Sequence, residues 1–257
     1  GEESYVLQQV HFGGIDFARV STAQIIPYSE KYAILILPYL YRDDRHLWSV
    51  LDSDIGDSFL GEIGHSGLFG LSWYDAGARH FYTSKKQLTC LEDLQGLKIR
   101  VQVSPYMEDM IRALGAEPVT IPYSLVYSNL STGAVDGAEN NWPSYESMDH
   151  SQVAPYILLD GHIRIPEMQV MSAQTAAMLP KGYLQIIQEC AKESAEYERQ
   201  LWVEREAASR KIAEEAGVVI MNLSEKERVK FQQACEPVYE KYAGDYRDIV
   251  QKILGTK

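Results

Sequence analysis

The chain has 257 residues, a hydrophobic content of 46% and a formal net charge of −12 at pH 7. That length and composition are sufficient for a large hydrophobic core, in one domain or in two that share the chain. The acidic balance argues against nucleic acid and anionic membranes as partners, because both require a basic protein surface. No apolar run approaches the roughly 20 residues of a membrane-spanning helix.

Short apolar segments alternate with amphipathic ones, which is typical of an α/β protein. Residues 15–21 predict a strand after a helix that ends at Gly13. The apolar run 33–38 predicts a buried strand. Asp43 and Asp44 can cap one helix whose apolar positions recur every four residues. Those positions are Leu47, Leu51, Ile55, Phe59 and Ile63.

The middle of the chain predicts strands at 68–73 and 98–101. Thr89 and Glu92 have the spacing of a capping box, which predicts a short helical turn between these strands. Ser104 followed by proline predicts the start of the next helix.

The longest periodic segment begins after Pro180 and continues to Gly217 without a helix breaker. Such a length is unusual for a helix confined to one globular lobe, so we expect this helix to cross between two lobes. Ser224 and Glu227 form a capping box that predicts one further helix.

The sequence contains no positive indication of an enzyme, a cofactor or a metal site. It has no phosphate-binding loop, no GxGxxG after a strand and no HExxH. Cys90, Cys190 and Cys235 are widely spaced and match neither a disulfide framework nor a metal-ligand pattern. We therefore expect free thiols in the core and no bound cofactor or metal.

Two arginines stand in or beside apolar, strand-like segments. Arg79 lies in 77–81 and Arg100 in 96–101. The commonest role of an arginine is a surface salt bridge. The alternative is a ligand contact, since the guanidinium group matches a carboxylate with two parallel hydrogen bonds.

A turn-rich segment, 133–145, carries Asn140, Asn141 and Trp142. Amides can orient carboxylates and hydroxyls, and an aromatic face suits the C–H side of a sugar ring. The alternative is an ordinary asparagine turn. Both interpretations stay open on these residues alone.

Residues 94–143 resemble the signature region of the DctP-type solute receptors of TRAP transporters. Residues 96–101 match the G-L-K-x-R strand of that family, and residues 114–116 match its L-G-A. Residues 126–140 match V-Y-x-x-L-x-x-G-x-V-D-G-x-E-N. The similarity extends over about residues 8–242, which is nearly the whole chain.

The resemblance implies an α/β fold with the two-lobe periplasmic-binding-protein architecture, mixed sheets, hinge strands and a long lobe-crossing helix. By analogy, lobe I takes residues 1–77 and 166–205, and lobe II takes 78–165 and 206–257. Family members carry a strand, a helix and a second strand ahead of the region that matches Gly1. This sequence opens without them and without a signal peptide, so we expect lobe I to lack its beginning.

The resemblance also assigns roles to the residues at the matched positions. It implies that Arg100 holds the ligand carboxylate and that Asn140 assists it. In some members an upstream G-x-R supplies a second guanidinium group, and Arg79 matches it. Closure of the cleft by hinge motion would bury the ligand.

Three further segments resemble the subset of the family that takes hexuronates. The string 139–147 includes Asn141 and Trp142, whereas the commoner version reads E-N-P. Arg19 in segment 16–21 could meet sugar hydroxyls, and Glu167 in segment 164–167 could accept hydroxyl protons. Each of the three also has an ordinary structural interpretation.

The resemblance therefore implies a receptor for a small organic acid, D-glucuronate or D-galacturonate, that delivers it to the TRAP membrane permease subunits by transient contact. It implies a periplasmic location, or an extracytoplasmic, lipid-anchored one in a Gram-positive organism. One alternative is an enzyme acting on uronates or related organic acids, which requires a perturbed carboxylate pair or an activated nucleophile. The other is a sensory ectodomain.

Overall fold

The computed structural model describes residues 2–257. Its strands are β1 (Phe17–Ser21), β2 (Leu68–Tyr74), β3 (Ala78–Thr83), β4 (Lys98–Val101), β5 (Glu117–Thr120), β6 (Gly137–Asn140), β7 (Tyr156–Arg164), β8 (Glu167–Ser172) and β9 (Val219–Asn222). Its helices are α1 (Glu3–His11), α2 (Thr22–Ile25), α3 (Asp44–Leu51), α4 (Asp54–Glu62), α5 (Pro105–Ala113), α6 (Val126–Thr132), α7 (Trp142–Ser147), α8 (His150–Val153), α9 (Ala173–Met178), α10 (Tyr183–Glu215), α11 (Glu225–Ala234), α12 (Glu236–Ala243) and α13 (Arg247–Gly255). In this part of the chain no helix is both long enough and apolar enough to span a membrane.

The strands form two separate sheets. The smaller one has the order β1-β8-β2, and both of its pairs are antiparallel. The larger one has the order β5-β4-β6-β3-β7-β9. In it β3 runs antiparallel to both neighbours, whereas β4 and β7 run parallel to β5 and β9 respectively. The α/β class and the mixed larger sheet confirm the predicted fold, whereas the smaller sheet is antiparallel throughout.

The chain passes between the two sheets at three places. Two are the short connections from β2 to β3 and from β7 to β8, and the third runs through α10. In the first connection Gly77 has a φ of +65°, and a Cβ there would collide with Glu206 of α10. The Glu206 side chain could move aside, so it is the positive φ that favours glycine at this position.

The long helix is confirmed: α10 has 33 residues, which corresponds to about 50 Å at 1.5 Å per residue. Near its start Ala191 packs with Leu71 and Met171 of the smaller sheet. Near its end Ala213 packs in a cluster that includes Tyr82 of the larger sheet. One continuous helix thus contacts both sheets.

The predicted lobe boundaries stay a prediction. The smaller sheet is drawn from 17–74 and 167–172, and the larger sheet from 78–164 and 219–222. The C-terminal helices also contact the first part of the chain, since the Arg42 guanidinium donates to the backbone oxygens of Leu254 and Thr256.

Two local predictions were wrong. The run 33–38 is not a strand, because Glu30–Ile36 forms a 3₁₀ helix that is almost wholly buried. A short, fully apolar run has no periodicity that separates a strand from a buried helix. The single helix predicted after Asp43 is two helices, because Ser53 caps α4 by accepting a hydrogen bond from the backbone of Ile55.

The helical turn at Leu91–Leu94 begins at a different residue from the one predicted. Cys90, not Thr89, is its N-cap residue, and Asp93, not Glu92, completes the capping box. All three cysteines are free, as expected. Only Cys235 is buried, however, so the expectation of core thiols was wrong for Cys190, which is exposed.

Candidate ligand-binding cleft

A cleft of about 1160 Å³ is lined by residues from both sheets and from α10. Its volume lies just above the roughly 300–1,000 Å³ of typical small-molecule sites, so it can enclose a ligand of sugar size. The larger sheet contributes Arg79, Arg100 and Asn140, and the smaller one contributes Arg19 and Glu167. The fold therefore brings together side chains that are far apart in sequence.

Arg100 is a buried cation without an acidic partner. In β4 the flanking Ile99 and Val101 enter the core, whereas Arg100 lines the cleft with only 2% of its surface exposed. Its Nε donates to the backbone oxygen of Ile121 at 2.9 Å. Within residues 2–257 neither Nη atom makes a hydrogen bond, and no carboxylate lies within ion-pair distance.

Desolvation by burial lowers the pKa of the Arg100 guanidinium, which shows that the site disfavours an unaccompanied positive charge. An arginine nevertheless stays charged in proteins. An anion that accepts from the two free Nη groups would therefore relieve both the unmet donors and the uncompensated charge.

Arg79 is committed to protein partners. Its Nε and Nη2 bind the two carboxylate oxygens of Glu139 at 2.5 and 2.9 Å, and Nη2 also donates to the Glu139 backbone oxygen at 3.0 Å. Its Nη1 donates to Asn140 Oδ1 at 2.8 Å. Of the five N–H groups of an arginine, this leaves one on Nη1 for a ligand. The role of Arg79 as a second guanidinium group that binds the ligand carboxylate stays a prediction.

The contact with Arg79 fixes the orientation of the Asn140 amide. Asn140 Oδ1 accepts from Arg79 Nη1 and also from the backbone nitrogen of Asn141 at 2.9 Å. Both lone pairs of this oxygen are therefore occupied. The Nδ2 group has no hydrogen-bond partner in the described part of the chain, so it is free to donate to an acceptor in the cleft.

Glu139 joins Arg79 to a second buried ion pair. His162 lies with Nε2 3.5 Å from Glu139 Oε2 and Nδ1 2.8 Å from Asp160 Oδ2. Burial alone lowers the pKa of His162, but Asp160 and Glu139 outweigh it and raise the pKa to about 9. Burial raises the pKa of Glu139, but Arg79 and His162 outweigh it and lower the pKa to about 2.

These four groups balance one another, since Arg79 and protonated His162 are cations and Glu139 and Asp160 are anions. Buried charges of this kind are tolerated because each has an opposite charge nearby; His162 is hydrogen-bonded through Nδ1, whereas its Nε2 makes only the longer ion-pair contact with Glu139. Arg100 lies outside this balance. Arg100 is therefore a cleft cation that this network leaves without a counter-ion.

The raised pKa of His162 predicts a pH-dependent stability. A pKa of about 9 in the folded state exceeds the ordinary value of roughly 6.5, so the stabilisation is complete below about pH 6.5 and lost as the pH rises through 9. We expect the melting temperature to fall over this range and the fall to shrink in His162→Gln. The exposed His65 provides the control, because His65→Gln should keep the full fall. A flat profile in the unmodified protein would contradict the prediction.

Arg19 and Glu167 form an ion pair on neighbouring strands β1 and β8 of the smaller sheet. Arg19 keeps about half of its side chain exposed, and Glu167 is mostly buried. A ligand hydroxyl could insert between two such groups, donating to the carboxylate and accepting from the guanidinium. Their contact with the ligand stays a prediction.

Asn141 and Trp142 have structural partners in this conformation. Asn141 Oδ1 caps α7 by accepting from the Ser144 backbone at 2.9 Å, and its Nδ2 donates to the Ala76 backbone oxygen at 2.8 Å. The ring of Trp142 packs edge-on against Tyr145 and does not line the cleft. The assignment of Trp142 as a ligand contact gains no support from this geometry.

The contribution of α10 to the cleft was not apparent from the sequence. Glu198, Trp202 and Arg205 all line the cleft, and their spacing of four and three residues places them on one helix face. That spacing could have identified them as a group. Trp202 Nε1 is buried without a partner in residues 2–257, so it is a further donor that the described protein groups leave unused.

Most of the chain is similar to a known family of binding proteins. Residues 1–245 match the DctP family model, described as bacterial extracellular solute-binding protein, family 7. A solute-binding protein from Chromohalobacter salexigens is 31% identical over 249 residues, which cover 97% of this chain and 74% of that protein.

Solved structures of TRAP periplasmic solute-binding proteins have the same fold. One from a Bradyrhizobium species, in complex with α/β-D-galacturonate, is 41% identical with a TM-score of 0.96 and covers 100% of this chain and 85% of its own. One from Citrobacter koseri with bound D-glucuronate is 32% identical with a TM-score of 0.95 and covers 100% of this chain and 85% of its own.

The Citrobacter koseri protein also has an apo, open structure, which is 32% identical and covers 98% of this chain and 84% of its own. Its TM-score is lower, at 0.89. The conformation described here is thus more similar to the ligand-bound structure. With nearly the full length matched in both sequence and fold, the chain belongs to the DctP family of bacterial extracellular solute-binding proteins.

Proposed function

We propose that this protein is the extracytoplasmic receptor of a TRAP transporter and that it binds a hexuronate, D-glucuronate or D-galacturonate, in the cleft. The main support for this proposal is Arg100, a buried cation with two free Nη groups and no acidic partner in residues 2–257. The related structures with bound galacturonate and glucuronate support the choice of ligand class.

The remaining cleft groups suit a polyhydroxylated acid. Asn140 Nδ2 offers a second donor for the carboxylate, since its oxygen is occupied by Arg79 and the Asn141 backbone. Arg19 and Glu167 offer a donor and an acceptor for hydroxyls. A charge-assisted hydrogen bond contributes roughly 1.5–3 kcal/mol, so a doubly held carboxylate and a few hydroxyl contacts give about −8 kcal/mol, or micromolar affinity.

We also propose that the cleft opens and closes by motion of two lobes, residues 1–77 with 166–205 and residues 78–165 with 206–257. Gln24 of α2 donates to the Val103 backbone oxygen at 3.0 Å, which joins the two sides. This contact and the higher similarity to the ligand-bound relative support a closed conformation. Closure would present a surface to the permease subunits. Contact with these subunits requires an extracytoplasmic location, either in the periplasm or on a lipid anchor.

The protein acts by binding rather than by catalysis under this proposal. Burial raises the pKa of Glu198 and of Glu206 to about 7, and Glu198 lines the cleft. Glu198 accepts a hydrogen bond from the Asp75 backbone at 2.9 Å, which gives it a structural role at the connection between the sheets. Incubation of the protein with D-glucuronate, followed by analysis for products, should return the ligand unchanged.

A thermal-shift screen tests the proposal. A ligand that binds only the folded state raises the melting temperature by mass action. We expect a clear rise with D-glucuronate or D-galacturonate at a hundredfold excess over the dissociation constant, and little with succinate. A larger rise with succinate than with either hexuronate would contradict the proposed ligand class.

A further inference from the structure

The amide nitrogen of Gln102 is a buried hydrogen-bond donor that the described protein groups leave unused. Gln102 lines the cleft, and its Nε2 is sealed from solvent without a partner in residues 2–257. Most buried polar groups in proteins are hydrogen-bonded, and leaving one unpaired is unfavourable. Because the terminal amide can rotate about its last torsion angle, the unused donor can be turned toward a group that the cleft receives.

Gln102 stands beside Arg100 along the chain. The two residues flank Val101, which is fully buried in the core, and side chains two residues apart leave the same face of an extended chain. Their Cα atoms are separated by roughly 6–7 Å. If Arg100 holds the carboxylate, Gln102 reaches the next oxygen of the ligand rather than the carboxylate itself.

The other cleft glutamine is already committed. Gln24 Nε2 donates to the Val103 backbone oxygen, and the neighbouring amide of Asn141 donates to Ala76. Among the cleft amides, Asn140 and Gln102 keep free donors, and Asn140 is paired with the arginine network. Gln102 is thus the uncommitted amide nearest in sequence to the carboxylate anchor.

We propose that Gln102 donates a hydrogen bond to the ligand oxygen borne by the carbon next to the carboxylate, and so selects acids that are oxygenated at that carbon. The inference rests on the proposed function. In a pyranose hexuronate this atom is the ring oxygen, which carries no proton and can only accept. An amide N–H satisfies it, whereas a carboxylate side chain would leave it unpaired.

The substitution Gln102→Met tests the inference, because it keeps the length of the side chain and removes the donor. Calorimetric titration with the hexuronate that binds the unmodified protein more tightly should show an affinity about threefold to tenfold lower. The melting temperature of the ligand-free variant should not fall, since the amide has no protein partner to lose. Gln102→Asn shortens the side chain by one methylene group and so moves the donor away from the ligand. It should also lower the affinity for the hexuronate.

Two controls separate this role from a general effect. Gln87 is exposed, so Gln87→Met should leave the affinity unchanged. Succinate has no oxygen on the carbon next to its carboxylate. In a competition titration the succinate concentration needed for half-displacement, although high, should give the same succinate affinity for the unmodified protein and for Gln102→Met. An equal loss for succinate would place the amide on the carboxylate and overturn the inference.

The outcomes distinguish this inference from the function on which it rests. Equal hexuronate affinity in the unmodified protein, Gln102→Met and Gln102→Asn overturns the role of Gln102 and leaves the receptor function intact. Absence of hexuronate binding by the unmodified protein overturns both.

Discussion

Replacing Arg100 with methionine is expected to abolish tight ligand binding and to raise the melting temperature of the ligand-free protein. Arg100 is 2% exposed and has no acidic partner in residues 2–257, so burial of its charge opposes folding, whereas methionine fills similar space without charge. Binding should weaken at least tenfold, and about a hundredfold if both Nη groups hold the carboxylate, since each such bond contributes roughly 1.5–3 kcal/mol.

Calorimetry and a thermal melt of the same variant give the two readouts. Lys98→Met is the matched control, because it removes one positive charge from the exposed end of the same strand. That variant should bind like the unmodified protein. An unchanged titration in Arg100→Met would remove Arg100 from the site, and a lower melting temperature would show that the guanidinium stabilises the empty fold.

Replacing Glu139 with glutamine is expected to destabilise the protein strongly and to weaken ligand binding. The carboxylate is fully buried and compensates both Arg79 and His162. Loss of one partner of a buried ion pair costs about 3–5 kcal/mol, which corresponds to a fall of about 6 °C or more in a domain of this size. Binding should weaken as well, because Arg79 loses the anchor that holds it against Asn140.

Glu117→Gln is the control for this substitution, since Glu117 is an exposed strand residue of the same sheet. Its melting temperature should stay within a degree or so of that of the unmodified protein. A Glu139→Gln variant that melts at the unmodified temperature would contradict the role of Glu139 as the compensating charge.

The sequence predicted the parts of the fold that carry a strong local signal. The long helix after Pro180, the strand that contains Arg100 and the helix that begins after Ser104 all occur as predicted. The buried run 33–38 failed because an apolar segment without alternation fits a strand and a helix equally well. The division at Ser53 was missed because the apolar spacing continues across it, and only the cap hydrogen bond shows the break.

The candidate site was predicted in part for a related reason. The motif resemblance identified Arg100, Asn140 and Arg79, and the fold places all three on the cleft. The resemblance could not show that Arg79 forms an ion pair with Glu139, because that contact depends on the pairing of β3 with β6. Trp202 was missed because its helix was interpreted only as a connection that crosses between the lobes. The residues of the helix that face the cleft become apparent only with the opposing sheets in place.

The continuity of α10 offers a way in which a partner could distinguish the ligand-bound protein from the ligand-free protein. Glu198 and Trp202 touch the cleft near the middle of the helix, yet the same rigid rod runs on for several turns in each direction. A small tilt imposed at its centre is therefore magnified at its two ends. A partner that contacts only those ends would respond to a filled cleft without contacting the ligand.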